Sequence, residues 1–100
     1  MRIVTLNANG IRSANNKGLA AWMSALRGWD VFCLQELKAN LEDVPEELLR
    51  PKKSHGHFHP ADRKGYAGTA LWSKQKPVRV VKEFGVGEFD TEGRYLEADF

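Results

Sequence analysis

The first third of the chain places a helical pattern between two short apolar runs, and this order constrains the fold most strongly. Ile3 to Leu6 is a β-branched run closed by an Asn-Gly turn signal, and Val31 to Leu34 is a second apolar run of strand length. Between them, apolar residues recur at i, i+3, i+4 and i+7, which predicts an amphipathic helix: Leu19, Trp22, Met23 and Leu26. A strand–helix–strand crossover predicts two parallel strands whose carboxyl ends meet at one edge of a sheet.

The rest of the chain continues the alternation of helix and strand signals. A second helix is predicted to begin near Asp43 and to end at Pro51, with Pro45 in its first turn. Further strands are predicted at Thr69 to Ser73, Val78 to Phe84 and Tyr95 to Phe100, with a loop over Gly85 to Gly93. The three tryptophans, Trp22, Trp29 and Trp72, are expected in the core. The expected fold class is therefore α/β.

The final residues bear on domain organisation. Tyr95 to Phe100 alternates apolar and polar residues like a half-buried strand and has no cap or turn after it. We therefore expect residues 1–100 to be the N-terminal part of a single larger domain, and the isolated stretch to be inactive.

Cysteine usage and hydropathy indicate the compartment. Cys33 is the single cysteine, so no disulfide framework exists, and its apolar neighbours predict a core position. No segment resembles a signal peptide or reaches the length of a membrane span. We expect a cytoplasmic monomer with no membrane partner.

The charge distribution is more informative than its sum. Fifteen basic and thirteen acidic residues give a formal charge of +2, which alone does not indicate a nucleic-acid partner. The basic residues concentrate between Arg50 and Lys82, however, while the segment from Glu36 to Glu47 is acidic.

Two polar side chains follow the predicted parallel strands. Asn7 and Glu36 lie just past the strand ends, at the edge where open α/β sheets collect ligand-binding groups. Mg²⁺ prefers oxygen ligands and is commonly held by one or two carboxylates together with water and phosphate. Glu36 fits this role, Asn7 could supply an amide oxygen, and Lys38 could contact a phosphate. The alternative is that Glu36 is a solvated strand-end carboxylate and Asn7 an Asx-turn residue.

Four sequence blocks, in this order and at these distances, resemble the exonuclease III type of apurinic/apyrimidinic endonucleases, within the endonuclease/exonuclease/phosphatase superfamily. They are LNANGIR (6–12), LQELK (34–38), GYAGTALWSK (65–74) and FDTEGRYLEADF (89–100). The resemblance implies a four-layer αββα sandwich of the DNase I-like type and a divalent metal, Mg²⁺ with Mn²⁺ as a substitute. It implies cleavage of double-stranded DNA 5′ to abasic sites, with 3′–5′ exonuclease or 3′ repair activity at DNA ends.

The resemblance also implies roles for individual residues. Glu36 matches the principal metal ligand of the family, and Asn7 matches an asparagine of the same site. Asn9 stands where some relatives have Asp, which leaves its part in the site open. The positions that contact the DNA backbone in relatives are matched by Arg12, Tyr66 and Arg94, and Lys38 lies beside the metal carboxylate. The catalytic Tyr, the Asp-x-Asn pair and the terminal Asp-His pair of the family are expected beyond Phe100, so no catalytic residue is assigned within this chain.

Several residues have two interpretations. Arg63 to Tyr66 joins two cations, a glycine and an aromatic ring, as in a DNA-contacting loop, but a solvated basic loop has the same composition. Arg94 could bind phosphate or form a salt bridge with Glu92 or Glu97. A period of two places three histidines on one face of a strand: His55, His57 and His59. They could form a metal-binding ladder or belong to a partly exposed strand. The second interpretation is preferred, because zinc sites usually draw their ligands from separated segments.

Two other function classes remain compatible with the sequence. A related phosphodiesterase acting on phospholipids or inositol phosphates would share the carboxylate site, although it would not require the GYAG and EGR blocks. A non-catalytic nucleic-acid-binding fragment is the other alternative, because the general base is not assigned within the chain.

Overall fold

A computed structural model describes residues 1–100, and its main feature is a four-stranded sheet in the order β1-β2-β4-β3. The strands are β1 (Ile3–Asn7), β2 (Val31–Gln35), β3 (His55–His59) and β4 (Thr69–Ser73). β1 and β2 are parallel, as the crossover predicts, whereas β2–β4 and β3–β4 are antiparallel.

Short helices cover one face of this sheet. They are α1 (Ile11–Asn16), α2 (Leu19–Ala25) and α3 (Glu46–Leu49), with a 3₁₀ turn over Leu41–Asp43. The predicted amphipathic helix is confirmed as α2, and the side-chain oxygen of Asn15 accepts a hydrogen bond from the Ala20 N–H in its first turn. The helix predicted near Asp43 is confirmed as α3, although Pro45 lies just before it rather than within it. None of the helices is long and apolar enough to cross a membrane.

The core lies between the sheet and these helices and is built around aromatic rings. Phe32 and Trp72 are fully buried, and their ring centroids lie 6.1 Å apart in an edge-to-face arrangement. The indole N–H of Trp72 donates to the Leu48 carbonyl at 2.8 Å, so this buried donor is satisfied. Trp29 is also in the core, as predicted. The prediction for Trp22 is wrong. Its ring packs edge-to-face with Phe32 but is 47% exposed, because Leu19 and Met23 are the α2 residues that face the core.

The other face of the four-stranded sheet is unevenly covered, with Leu71 buried at its centre and the outer strand β1 exposed. Thr5, Cys33, Gln35 and His57 point away from the helix-covered core. The prediction that Cys33 is a core residue is therefore wrong, because its strand presents Phe32 and Leu34 to the helices and the alternate residue to the opposite face. Partial burial nevertheless raises the pKa of the Cys33 thiol.

A separate two-stranded antiparallel sheet forms from β5 (Arg79–Val81) and β6 (Glu97–Asp99). Both strands are shorter than their predicted extents, and α4 (Gly87–Asp90) occupies the segment predicted as a loop. The Arg79 guanidinium pairs with the carboxylates of Asp99 at 2.9 Å and Glu97 at 3.1 Å across the two strands. The strand predicted over Val78 to Phe84 is thus confirmed in its first half, and the strand predicted over Tyr95 to Phe100 in its middle.

Candidate functional site

The carboxyl ends of β1 and β2 lie side by side, as the parallel pairing predicts. Asn7 is the register partner of Gln35, and the pairing continues beyond the strands. The Ala8 N–H donates to the Gln35 carbonyl at 2.9 Å, and the Gly10 N–H donates to the Glu36 carbonyl at 2.8 Å. The two predicted metal ligands, Asn7 and Glu36, therefore follow adjacent strand ends that hydrogen bonds fix to each other.

A third segment, leading into β4, completes this edge of the sheet. The Leu37 N–H donates to the Gly68 carbonyl at 3.0 Å, and the Lys38 N–H donates to the Ala67 carbonyl at 2.7 Å. A Cβ atom on Gly68 would lie 3.0 Å from the Leu37 Cβ, so the absence of a side chain allows this close approach. Glu36 and Lys38 thus lie on a short loop that neighbouring backbone holds on both sides.

The backbone at this edge adopts an unfavourable conformation at four positions. Asn9, Glu36, Lys38 and Ala67 have φ values of 48°, 55°, 51° and 46°, and they are all of the non-glycine residues with positive φ in the chain. Most residues with a Cβ are disfavoured in this region by roughly 1–2 kcal/mol; asparagine adopts it more readily, so the strain lies at Glu36, Lys38 and Ala67. Such strain persists where surrounding contacts enforce it and is enriched at functional sites.

Lys38 connects two polar side chains of the site. Its ammonium donates to the Asn9 side-chain oxygen at 2.6 Å and lies 3.6 Å from a Glu36 carboxylate oxygen. The Glu36 carboxylate accepts no hydrogen bond within the chain, and 40% of the side chain is exposed. The Glu36 backbone is therefore held in position by neighbouring segments, while its carboxylate oxygens remain available to an external partner.

Asn7 takes part in a local turn. Its side-chain oxygen accepts a hydrogen bond from the Asn9 N–H at 3.1 Å, which is the Asx-type contact of the alternative interpretation. An amide oxygen has two lone pairs, so this bond leaves one free for water or a cation. No group of three or more His, Cys, Asp or Glu side chains is placed to hold a metal. The donor set of one carboxylate and one amide oxygen suits Mg²⁺, which keeps water and phosphate ligands, better than zinc.

A second polar cluster forms around the ring of Tyr66. The guanidinium of Arg94 donates to the Tyr66 hydroxyl at 2.8 Å, and its carbon lies 5.4 Å from the ring centroid. The Arg63 guanidinium carbon lies 5.5 Å from the same centroid. Arg94 also lies 3.6 Å from a Glu92 carboxylate oxygen, so the predicted alternative salt bridge is present at long range. Two cations on one exposed aromatic ring form a surface suited to phosphate and sugar contacts.

Backbone contacts join this cluster to the strand-end site. The Asp62 N–H donates to the Thr91 carbonyl at 2.8 Å, and the Gly68 N–H donates to the Glu92 carbonyl at 3.3 Å. A Cβ atom on Gly93 would overlap the His59 carbonyl oxygen, so only glycine permits the packing that precedes Arg94. The Ala67–Gly68 segment therefore forms hydrogen bonds both with the segment that precedes Arg94 and with the Glu36 loop, so it links the two clusters.

Arg12 and the three histidines, which the sequence also singled out, form no hydrogen bond or salt bridge with the Glu36 loop. Arg12 lies exposed in the first turn of α1, and its guanidinium makes no hydrogen bond within the chain. The histidine strand is confirmed as β3, with all three rings on the face away from Phe58. His59 contacts two backbone carbonyls, those of Asp90 and Tyr95, which is a structural role.

Two features of the site were not assigned from the sequence. The hydrogen bond from Lys38 places the Asn9 side chain within the site. The sequence had left the part of Asn9 open, because some relatives have Asp at this position. The left-handed backbone at Ala67 was missed altogether. The glycine that follows it was the one available signal, because adjacent small residues mark a close approach of two segments.

Comparison with known proteins gives consistent matches over almost the whole chain. Residues 4–100 match the model of the Endonuclease/Exonuclease/phosphatase family. An exodeoxyribonuclease of Bacillus subtilis (strain 168) is 37% identical over 102 residues, which cover 100% of this chain and 38% of that protein. A DNA-(apurinic or apyrimidinic site) endonuclease of Dictyostelium discoideum is 33% identical over 100 residues, which cover 100% of this chain and 27% of that protein. The chain thus spans well under half the length of these relatives.

Solved structures match the fold. A 3′–5′ exonuclease from Neisseria meningitidis superposes with a TM-score of 0.80 and 26% identity, covering 98% of this chain and 37% of that one. An AP endonuclease from Archaeoglobus fulgidus superposes with a TM-score of 0.79 and 29% identity, with the same coverage. The predicted DNase I-like α/β fold class is confirmed by these matches.

Proposed function

The chain belongs to the endonuclease/exonuclease/phosphatase family, and from that premise we propose that it is the substrate- and metal-holding part of a DNA repair phosphodiesterase. The proposed reaction is hydrolysis of the DNA backbone 5′ to an abasic site, with 3′–5′ exonuclease or 3′ repair activity at DNA ends. The observation that carries the proposal is the rigid, strained loop that presents the exposed Glu36 carboxylate beside Lys38.

In this proposal, Glu36 and Asn7 hold a divalent cation, Mg²⁺ or Mn²⁺. Such a cation, when bound, neutralises charge on a nonbridging phosphate oxygen and on the leaving 3′ oxygen. The fit depends on the available donor atoms: the Glu36 carboxylate accepts no hydrogen bond within the chain, and the Asn7 side-chain oxygen keeps one free lone pair.

The chain's own residues position the phosphodiester. Lys38 is fixed by Asn9 and can donate further hydrogen bonds to a phosphate oxygen, since an ammonium has three donors. Arg94, held on Tyr66, and Arg12, on α1, would contact flanking phosphates. The group that activates the attacking water is proposed to come from the remainder of the longer protein.

The direct test is single-turnover cleavage by the full-length protein of a duplex that carries one abasic-site analogue. We expect incision on the 5′ side of that site in Mg²⁺ and loss of incision in EDTA. An undamaged duplex of the same sequence serves as the control for abasic-site preference.

Other outcomes would replace the proposal with one of its alternatives. Metal-dependent release of phosphate from inositol phosphates or phospholipids, without DNA cleavage, would favour the related phosphodiesterase class. Tight binding of the abasic duplex without any cleavage in Mg²⁺ or Mn²⁺ would indicate a non-catalytic DNA-binding protein.

A further inference from the structure

A cavity of about 720 Å³ lies at the end of the four-stranded sheet opposite to Glu36. Trp29 before β2, Ser54 before β3 and Lys74 after β4 all line it, and these positions meet at one edge in the strand register. Its walls come from α2 and α3. The cavity is thus separated from the Glu36 edge by the length of the strands, about 17 Å for five residues.

The floor of the cavity is apolar, and its polar groups are already used. Met23, Trp29, Leu48 and Trp72 form the floor. The Trp29 indole N–H donates to the Met23 carbonyl at 3.1 Å, and the Trp72 indole N–H donates to the Leu48 carbonyl at 2.8 Å. The floor therefore offers apolar contact area without converging hydrogen-bond donors, unlike a site that fixes a small polar ligand.

The acidic residues of the cavity are likewise occupied. Glu46 accepts two hydrogen bonds from Arg50, at 2.6 and 2.7 Å. Glu47 accepts a hydrogen bond from the Asn15 side chain at 2.8 Å. The Asn15 amide is neutral, so Glu47 keeps its negative charge. With Arg50 paired to Glu46, the positive excess of the rim comes from its three lysines, which outnumber Glu47.

Three lysines on the rim have no acidic partner. Lys52 and Lys53 make no salt bridge, and the Lys74 ammonium lies 4.1 Å from the centre of the Trp29 ring. Each ammonium is a point charge on a flexible stem with three donors, so the three lysines can each contact a separate carboxylate. A partner that complements the site would carry dispersed carboxylates around one apolar anchor.

We infer that this cavity docks an acidic peptide segment of a partner protein, with an aromatic or branched aliphatic side chain inserted over Trp29 and Leu48. The lysines would steer the segment and contact its carboxylates, while the inserted side chain would supply most of the affinity. This interaction is independent of the proposed nuclease site.

The test uses the full-length protein and a fluorescein-labelled oligo-aspartate peptide that ends in phenylalanine. We expect saturable binding by fluorescence anisotropy in the micromolar range. Replacing the terminal phenylalanine by alanine should weaken binding by at least about tenfold, the scale of one lost anchor.

Two sets of variants separate this cavity from other basic surfaces. The triple variant Lys52→Glu, Lys53→Glu, Lys74→Glu should weaken peptide binding by at least about tenfold, since three attractions become repulsions. Arginine at the same three positions should retain it. Lys17→Glu with Lys82→Glu, which changes exposed lysines elsewhere, should leave binding unchanged.

Several results would overturn the inference. Equal binding by the triple glutamate variant, or displacement of the peptide by duplex DNA, would place the peptide on the nucleic-acid surface. Competition by deoxyadenosine monophosphate at similar concentration would indicate a small-anion site. Absence of peptide binding by the folded full-length protein would show that the cavity is not accessible to such a partner.

Discussion

The two ends of the four-stranded sheet are built from the same strands but differ in chemistry. At one end, Trp29 and Trp72 are buried and their N–H groups are bonded to backbone carbonyls. At the other end, Glu36 and Lys38 are partly exposed on a backbone with positive φ. The buried aromatic core beneath the sheet makes a strained polar edge possible, because a rigid sheet can enforce a conformation that an isolated loop would not keep.

Truncation of the packed end should give the largest loss of stability. Trp72→Ala should lower the free energy of unfolding by about 3–5 kcal/mol, since it removes a fully buried indole from between Phe32 and Phe58. Urea unfolding of the full-length protein measures this change. Trp22→Ala is the matched control on an exposed ring and should cost much less; equal losses would contradict the assignment of the core.

Two buried alanines allow a sharper test of backbone strain. Ala70 lies in β4 with ordinary strand geometry, so Ala70→Gly should lower stability by roughly 1 kcal/mol. Ala67 has a φ of 46°, so Ala67→Gly should be neutral or stabilising because glycine adopts this conformation without penalty. Thermal unfolding of both variants checks the sign. A similar loss for both would show that the strand-end backbone is not strained.

The polar end should bind DNA through phosphates. Arg94→Ala should weaken binding of duplexes irrespective of sequence and lower the slope of log K against log salt by about one unit. The same reduction is expected for Arg12→Ala and Lys38→Ala. Arg79→Ala is the control, because Arg79 is paired with Asp99 on the separate sheet. Loss confined to one base sequence would contradict phosphate contact.

The smallest expected effect is on the pH dependence of stability, and it comes from His57 on the sheet face away from the helices. Burial, followed by the charges of Lys82 and His55, lowers the pKa of His57. As pH falls through the ordinary histidine value of about 6.5, the unfolded chain binds a proton that the folded chain does not. His57 therefore leaves stability unchanged above that pH and reduces it below.

His57→Gln should consequently flatten the decline in unfolding temperature between neutral and mildly acidic pH. His55→Gln, at the exposed start of the same strand, should flatten the decline less, because it removes only the smallest of the three causes that lower the pKa of His57. An unchanged decline in the His57 variant would show that this ring is solvated in the folded protein.

The sequence predicts the parallel pair and the edge that gathers Asn7 and Glu36, since both depend on local periodicity and on the geometry of a crossover. It does not predict α1, because Ile11 is the only large apolar residue in that helix. Nor does it predict the positive φ of Glu36 and Ala67, because these conformations are enforced by hydrogen bonds between segments distant in the chain.

The exposure of Trp22 has a similar origin. Helical periodicity identifies an apolar stripe, but it does not determine which residue lies at the edge of that stripe. The position is decided by how a seven-residue helix is oriented on the sheet, with Leu19 and Met23 towards the core.

The most direct test of the account is Glu36→Gln in the full-length protein, followed by single-turnover cleavage of an abasic duplex against Mg²⁺ concentration. The substitution keeps the shape of the side chain and removes its charge, so fold and most DNA affinity should remain. The cleavage rate should fall by at least about 10²-fold, the scale of lost transition-state stabilisation, with partial recovery at high Mg²⁺ or Mn²⁺. Glu42→Gln, at an exposed carboxylate on the 3₁₀ turn, should cleave normally. A Glu36→Gln protein with unchanged rate and unchanged metal dependence would show that Glu36 is a solvated strand-end carboxylate with no part in holding the metal.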